Sequence, residues 1–133
     1  MFNQMRSVLG LQRAIASAQG KTPVAAREVL EYATVEGARA NGLDAKVGTL
    51  APGKQADLIM LRTDRINVTP LNDPATAVVT GMDTGNVYTV LIAGRVMKRH
   101  GRLLHVDWPA VRRMAAESRD YVVAKSGFKL PGI

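Results

Sequence analysis

Two histidines, His100 and His105, are the residues of this chain best suited to hold a metal ion or to act as a general base near neutral pH. They flank a short predicted strand at an odd spacing, and alternation along a strand turns such side chains to opposite faces. A catalytic zinc site needs three converging protein ligands and an open position, which this pair cannot supply. We therefore expect no metal-binding residue in this chain.

Nucleophile and phosphate-binding motifs are also missing from the sequence. Cysteine is absent, and no serine stands in the Gly-x-Ser-x-Gly context of a nucleophile elbow. The serines are Ser7, Ser17, Ser118 and Ser126. The stretch from Ala51 to Lys54 contains a Pro-Gly turn but lacks the Gly-Lys-Ser/Thr ending of a phosphate loop. The sequence therefore predicts neither a catalytic nor a cofactor-binding residue.

The composition predicts a folded chain of ordinary globular type. Of its 133 residues, 47% are hydrophobic and 22% are charged, which is enough apolar side chain to build a core. The absence of cysteine fits a reducing compartment. The first residues resemble no signal peptide, and nowhere do 18 apolar residues follow one another. We expect a cytoplasmic protein that makes no membrane contact.

The net charge of +7 raises the question of a nucleic-acid partner. Arg95, Lys98, Arg99 and Arg102 fall together on a predicted hairpin. Aromatic residues that would stack on bases do not interleave with them in the sequence. We therefore interpret these residues as a solvated surface and rank nucleic-acid binding below the other hypotheses. Salt-dependent retention on polyanions would favour it.

Helical patterns occupy the first third of the chain. Met5, Val8, Leu9 and Ile15 have helical spacing, and Gln19-Gly20 supplies a stop. Thr22-Pro23 is typical of an N-cap followed by proline in the first turn, and the apolar positions after it predict a second helix. These positions are Ala26, Val29, Leu30 and Ala33. A further turn capped by Thr34 runs through Ala38 and stops at Asn41-Gly42.

The middle of the chain has the pattern of short strands and tight turns. Predicted strands cover 47–50, 58–61, 87–92, 95–99 and 103–104, and the 58–61 strand reads as buried. Turns fall at Pro52-Gly53, Ala93-Gly94 and His100-Gly101. Asp73-Pro74 opens a short helix through Val79. Asp107 caps a last helix, and Gly127 and Pro131 mark a tail.

The last helix carries apolar residues along one side. These are Trp108, Val111, Ala115, Tyr121 and Val122.

One segment is specific beyond these general patterns. Residues 47–61 read VGTLAPGKQADLIML. This run is similar to the G-x-L-x-P-G-K-x-A-D-L-x-x-L signature of the amidohydrolase superfamily, which includes cytosine deaminases, dihydroorotases and atrazine-type chlorohydrolases. The residues that carry the likeness are Gly48, Pro52, Gly53, Lys54, Ala56 and Asp57. Glycine gives the turn its conformational freedom and aspartate can hydrogen-bond turn backbone, so all six have structural roles.

The likeness extends over nearly the whole chain. Residues 22–40 resemble the superfamily's T-x-x-E-x-L-x-x-A-T-x-x-G-A-x-A-L-G run, and residues 87–104 resemble its closing hairpin. Residues 1–6 look like the D-M-F-x-x-M-R run that follows the eighth barrel strand in the deaminase and chlorohydrolase branch. The superfamily's metal-binding histidines and aspartate would all precede Met1, so none can be assigned to a residue of this sequence.

The resemblance implies an α/β fragment from the C-terminal portion of a metal-dependent TIM-barrel hydrolase. Residues 1–43 would be closing barrel helices, residues 44–106 most of a small composite β-sandwich, and residues 107–133 a C-terminal helix and tail. The intact enzyme would use Zn²⁺ or Fe²⁺ to generate hydroxide for deamination or dechlorination of a ring. This chain would give structural support and be inactive alone.

A second hypothesis is a free-standing interaction or oligomerisation module that reuses the half-fold. The fragment hypothesis predicts self-association, because the helical stripes of residues 5–15 and 26–30 would otherwise face water in the absence of the barrel portion. A monomer with both helices well ordered would favour the independent module.

Overall fold

The computed structural model describes residues 1–128 and places a layer of helices beside a small sheet. The α-helices are α1 (Phe2–Ala18), α2 (Ala26–Glu31), α3 (Gly37–Ala40), α4 (Pro74–Thr76) and α5 (Trp108–Ser126). The strands are β1 (Leu58–Leu61), β2 (Val87–Ile92), β3 (Arg95–Arg99) and β4 (Arg102–Leu103). A π-helical turn, Tyr32–Glu36, joins α2 to α3, another, Ala77–Gly81, continues α4, and a 3₁₀ turn covers Thr84–Asn86. Pro131 lies outside the described residues.

The hydrophobic core sits in the helical layer. Met5 and Leu9 of α1 pack with Ala26 and Val29 of α2 and with Val79 of the π turn after α4. Val29 and Val79 are essentially inaccessible to water. Burying these side chains is the main stabilising contribution to this layer. Part of the stripes expected to face water therefore packs inside the chain, because α4 and its π turn fold back to cover it.

The second helix begins later than the sequence predicts. Thr22 is not its N-cap: Ala25 is the last extended residue, with φ −82° and ψ 153°. The backbone N–H of Ala25 donates to the Glu28 carboxylate at 2.8 Å. A side chain within the helix therefore provides the acceptor for the N–H of the residue that precedes the helix. Val24 packs against the core, and residues 21–25 have no regular secondary structure. Thr34 also does not cap a new turn, because its hydroxyl donates to the Leu30 carbonyl in a continuous helix.

The sheet has the order β1-β2-β3-β4, with every neighbouring pair antiparallel. The Ala93-Gly94 turn between β2 and β3 has positive φ at both residues, 47° and 78°, as a two-residue hairpin requires. His100-Gly101 repeats this geometry, with φ 51° and 78°. Both predicted turns are confirmed, and β4 covers Arg102–Leu103 instead of residues 103–104.

Two predictions for the strands are wrong. Residues 47–50 form no strand: residues 47–49 are bent and Leu50 has no regular structure, because Gly48 has φ 96° and turns the chain. The 58–61 strand exists but is not buried, since Ile59 and Met60 are about half exposed. The described residues form one antiparallel sheet, so a complete sandwich is not present within 1–128.

The predicted caps of α4 and α5 are confirmed. The Asp73 side chain accepts from Thr76 N at 2.7 Å, and the Asp107 side chain accepts from Ala110 N at 3.0 Å. Gly127 ends α5 in the left-handed conformation. No residue of α5 is buried, so the apolar side of this helix is exposed. Among the helices of the described residues, none is long and apolar enough to span a bilayer.

Candidate functional site

The segment from Gly48 to Asp57 connects the helical layer to the sheet. Ala51 to Lys54 is a β-turn closed by Lys54 N donating to Ala51 O at 3.2 Å. Gly53, in the third position of the turn, has φ 85°, as a type II turn requires. Pro52 precedes it, in the position where proline is common in such turns. Gly53 has no neighbour within 4 Å of the place where a Cβ would stand. The turn itself is therefore exposed, and its glycine serves the backbone conformation alone.

Both close packing and backbone conformation favour glycine at position 48. A Cβ there would lie 2.8 Å from the Ala38 Cβ of α3 and 3.4 Å from the Val35 Cα. Its φ of 96° is also unfavourable for any residue with a side chain. Glycine at this position lets the loop lie directly on the helical layer.

Lys54 binds backbone instead of a ligand. Its Nζ donates to the Asp44 carbonyl at 2.6 Å and approaches the Val47 carbonyl at 3.5 Å. Gln55 N donates to Lys46 O at 2.8 Å and closes the same loop. The lysine therefore holds the path of residues 44–47.

Asp57 and Ala56 hold a turn distant in sequence. The Asp57 carboxylate accepts from the N–H of Ala93, and the Ala56 carbonyl accepts from the N–H of Gly94 at 3.1 Å. The sequence suggested that Asp57 bonds the Pro52-Gly53 turn. It fixes the β2–β3 turn instead, because β1 runs antiparallel beside β2 and brings the two ends together.

His100 lies in the turn after β3, at the end of the hairpin opposite Ala93-Gly94, whereas His105 lies in a bend after β4. The His100 ring stacks on the Tyr88 ring, with centroids 5.0 Å apart and 20° between the planes. His105 has φ 60° in the segment before α5. No group of three or more His, Cys, Asp or Glu side chains within residues 1–128 is arranged to hold a metal ion. These residues therefore do not fit a catalytic metal.

Arg62 and Asp64 form an ion pair beside Tyr88. The Arg62 Nε donates to the Asp64 carboxylate at 2.8 Å, and its guanidinium carbon lies 5.6 Å from the centre of the Tyr88 ring. The hydrogen bond from Arg62, more than charge attraction, lowers the pKa of Asp64, and the same bond raises the pKa of Arg62. Both groups are well solvated, so the pair orders the surface but contributes little stability.

Sequence reasoning missed the polar network around Asn86, a buried side chain that is 1% exposed. Its Oδ1 accepts from Asn67 Nδ2 at 2.8 Å and from Asp83 N at 3.0 Å, while its Nδ2 donates to Arg62 O at 3.1 Å. Every polar atom of the amide is therefore satisfied. The network pins the long connection between β1 and β2.

Arg6 makes a second unforeseen link. Its Nε donates to Thr80 O at 2.9 Å and its Nη2 to Met82 O, where the helical segment after α4 ends. These carbonyls lack helical partners, so a guanidinium there complements the helix end. The sequence gave no signal for this role of Arg6, because its acceptors are more than seventy residues away.

Comparison with known proteins identifies relatives over most of the chain. The family model described as "Amidohydrolase family" matches residues 1–97. The 5'-deoxyadenosine deaminase of Methanothermobacter thermautotrophicus is 38% identical over 115 residues, 86% of this chain and 26% of that protein. A 5-methylthioadenosine/S-adenosylhomocysteine deaminase of Desulfitobacterium hafniense is 37% identical over 113 residues, 85% of this chain and 25% of that protein.

Solved structures show the same fold. A zinc-bound adenosine deaminase from Xanthomonas campestris superposes with a TM-score of 0.86 and 29% identity, covering 93% of this chain and 28% of that one. Atrazine chlorohydrolase from Arthrobacter aurescens TC1 with zinc superposes with a TM-score of 0.76 and 22% identity, covering 90% and 26%. The chain spans about a quarter of the length of the proteins it matches.

Proposed function

Because this chain belongs to the amidohydrolase family, we propose that it is the structural part of a metal-dependent deaminase that acts on the amino group of a purine nucleoside. The observation that carries the proposal is the match to nucleoside deaminases at 37–38% identity over about 85% of the chain. The likeness to the chlorohydrolase is weaker, at 22% identity, and concerns the fold alone. Hydrolysis of a C–N bond is therefore favoured over hydrolysis of a C–Cl bond.

The proposed role of this chain is support for the reaction centre. The side chains of residues 1–128 do not fit a catalytic metal, so Zn²⁺ or Fe²⁺ would be held by residues of the enzyme outside this part. We assign to this chain no step of the chemistry. Helices α1 to α3 would close the barrel, and β1 to β4 would form one side of a composite sandwich. The half-exposed Ile59 of β1 and Ile92 of β2 support this assignment, because the strand register places them on one face of the sheet, where a second sheet would cover them.

A chimera tests this role. The part of the Methanothermobacter deaminase that this chain matches is replaced by residues 1–128, and zinc content and ammonia release from 5'-deoxyadenosine are measured. We expect a folded, zinc-containing enzyme, whereas residues 1–128 alone should release no ammonia. The matched control carries Asp57→Ala, which should lower the melting temperature of the chimera and leave its zinc content unchanged. A chimera that fails to fold, or a folded one without zinc, would argue against the proposal.

The second candidate is an independent interaction module. It is favoured by the internal core of Met5, Leu9, Val29 and Val79, because these side chains pack the helical layer without the rest of an enzyme. It is also favoured by apolar side chains that remain exposed on the same layer. These are Val8, Leu11, Ile15 and Tyr32. Ordered folding of the isolated chain together with failure of the chimera would favour this candidate.

A further inference from the structure

The positive charge of the chain is concentrated in one short segment. Between positions 95 and 113 the sequence has six Lys and Arg residues and one carboxylate, Asp107, which accounts for five of the seven net positive charges. The six are Arg95, Lys98, Arg99, Arg102, Arg112 and Arg113. A negatively charged partner would therefore be attracted most strongly to this segment.

The fold adds an aromatic side chain that the sequence alone did not place there. Lys98, Arg102 and Trp108 line one open groove of about 470 Å³, together with Gly101 and Leu103. A second groove, of about 590 Å³, is lined by Trp108, Pro109 and Arg112. Trp108 is 50% exposed, so part of its indole is open to a ligand. Trp108 therefore contributes to two grooves, each of which has at least one cation in its lining.

The cations of these grooves are available for a ligand. The salt bridges among the described residues engage Arg39, Arg62 and Arg119, and none of the groove residues. The single nearby carboxylate in the sequence, Asp107, accepts a hydrogen bond from Ala110 N as the cap of α5. Arg102 and Arg112 are exposed and Lys98 is half-buried. A phosphate entering either groove would therefore displace water and not a carboxylate partner.

We propose that Trp108, Lys98, Arg102 and Arg112 form a binding site for single-stranded nucleic acid. An exposed indole can stack on any base, and the cations of the two grooves that Trp108 lines can contact the phosphates before and after that base. Both grooves are open instead of enclosed, which suits an extended strand passing across the surface. None of its residues belongs to the segment from Gly48 to Asp57, whereas Lys98 and Arg102 lie in β3 and β4, which the proposed enzyme would use as one side of its sandwich.

The experiment uses the full chain and the fluorescence of its single tryptophan. Titration with a thymidine oligonucleotide of about 16 nucleotides should quench Trp108, and the affinity should fall as salt rises. Trp108→Leu should weaken binding of the labelled oligonucleotide about tenfold by anisotropy, the loss of one stacked base. Trp108→Phe should retain most of the affinity, and circular dichroism should show both variants folded.

Charge is tested with matched double variants. Lys98→Gln/Arg102→Gln should weaken binding and reduce the salt slope by roughly one for each phosphate that is no longer neutralised. Arg13→Gln/Arg39→Gln removes the same charge from the helical layer and should leave the affinity and the salt slope unchanged. The proposal is overturned if the oligonucleotide does not quench Trp108 or if both double variants weaken binding equally. It is also overturned if inorganic polyphosphate quenches and binds as well as the oligonucleotide, since that outcome requires no base stacking.

Discussion

The carboxylate of Asp57 accepts a hydrogen bond from the backbone N–H of Ala93, thirty-six residues farther along the chain. Ala93 is the first residue of the β2–β3 turn and has φ 47°, an unfavourable conformation for a residue with a Cβ. The most specific segment of the sequence therefore acts by fixing a distant hairpin.

Replacing Asp57 tests that relationship. Asp57→Ala removes the acceptor of the Ala93 N–H, and we expect the free energy of unfolding to fall by about 1 kcal/mol. Asp57→Asn keeps an oxygen acceptor and should cost less. Denaturant melts of the three proteins provide the measurement. Equal midpoints for Asp57→Ala and the parent chain would show that the hydrogen bond contributes nothing to stability.

Gly48 and Gly53 provide a matched pair for the cost of close packing. Both have positive φ, 96° and 85°, so alanine at either position is strained. Only Gly48 has the Ala38 Cβ 2.8 Å from its added methyl group. We expect Gly48→Ala to cost about 1 kcal/mol more than Gly53→Ala, as overpacking does. Thermal melts would contradict this if Gly53→Ala proved the more destabilising.

Asn86 should be the most sensitive polar residue of the chain. Asn86→Ala leaves Asp83 N and Arg62 O without their buried partner, and we expect the free energy of unfolding to fall by about 2–3 kcal/mol. Asn41→Ala is the control, because Asn41 is exposed and its side chain makes a single hydrogen bond, to Gly37 O. Chemical denaturation of both variants provides the measurement. Equal destabilisation would show that the hydrogen bonds of Asn86 contribute no more to stability than the exposed one of Asn41.

The isolated chain should retain no stoichiometric zinc or iron. His100 is engaged in stacking on Tyr88, and no third ligand converges on it among the described residues. Elemental analysis after dialysis measures the metal content. One tightly held metal per chain that disappears in His100→Ala or His105→Ala would overturn this expectation.

Self-association should depend on the exposed side of α1. Leu11 is 63% exposed and Ile15 is 41% exposed, while Met5 and Leu9 face the internal core. The apolar face left for a partner is therefore smaller than the sequence implied, and we expect weak association at micromolar concentration. Leu11→Gln/Ile15→Gln should shift sedimentation toward the monomer. A parent chain that is already monomeric would rule out association through this face.

Local sequence determined the elements whose partners are close in the chain. The caps Asp73 and Asp107 and the turns Ala93-Gly94 and His100-Gly101 occur where the sequence places them, because each depends on residues within about four positions. The family likeness likewise followed from contiguous motifs, above all residues 47–61, and the amidohydrolase match confirms it.

Tertiary structure alone decided which distant groups meet. Asp57 bonds Ala93 instead of its own turn, Arg6 reaches carbonyls at the end of the segment after α4, and Trp108 enters the basic hairpin's groove. The bend at Gly48 replaces a predicted strand because the loop must lie against α3. The sequence shows which residues can bond or pack, but the path of the chain determines which partners come within a few ångströms, and hydrogen bonds and stacking act only over that range.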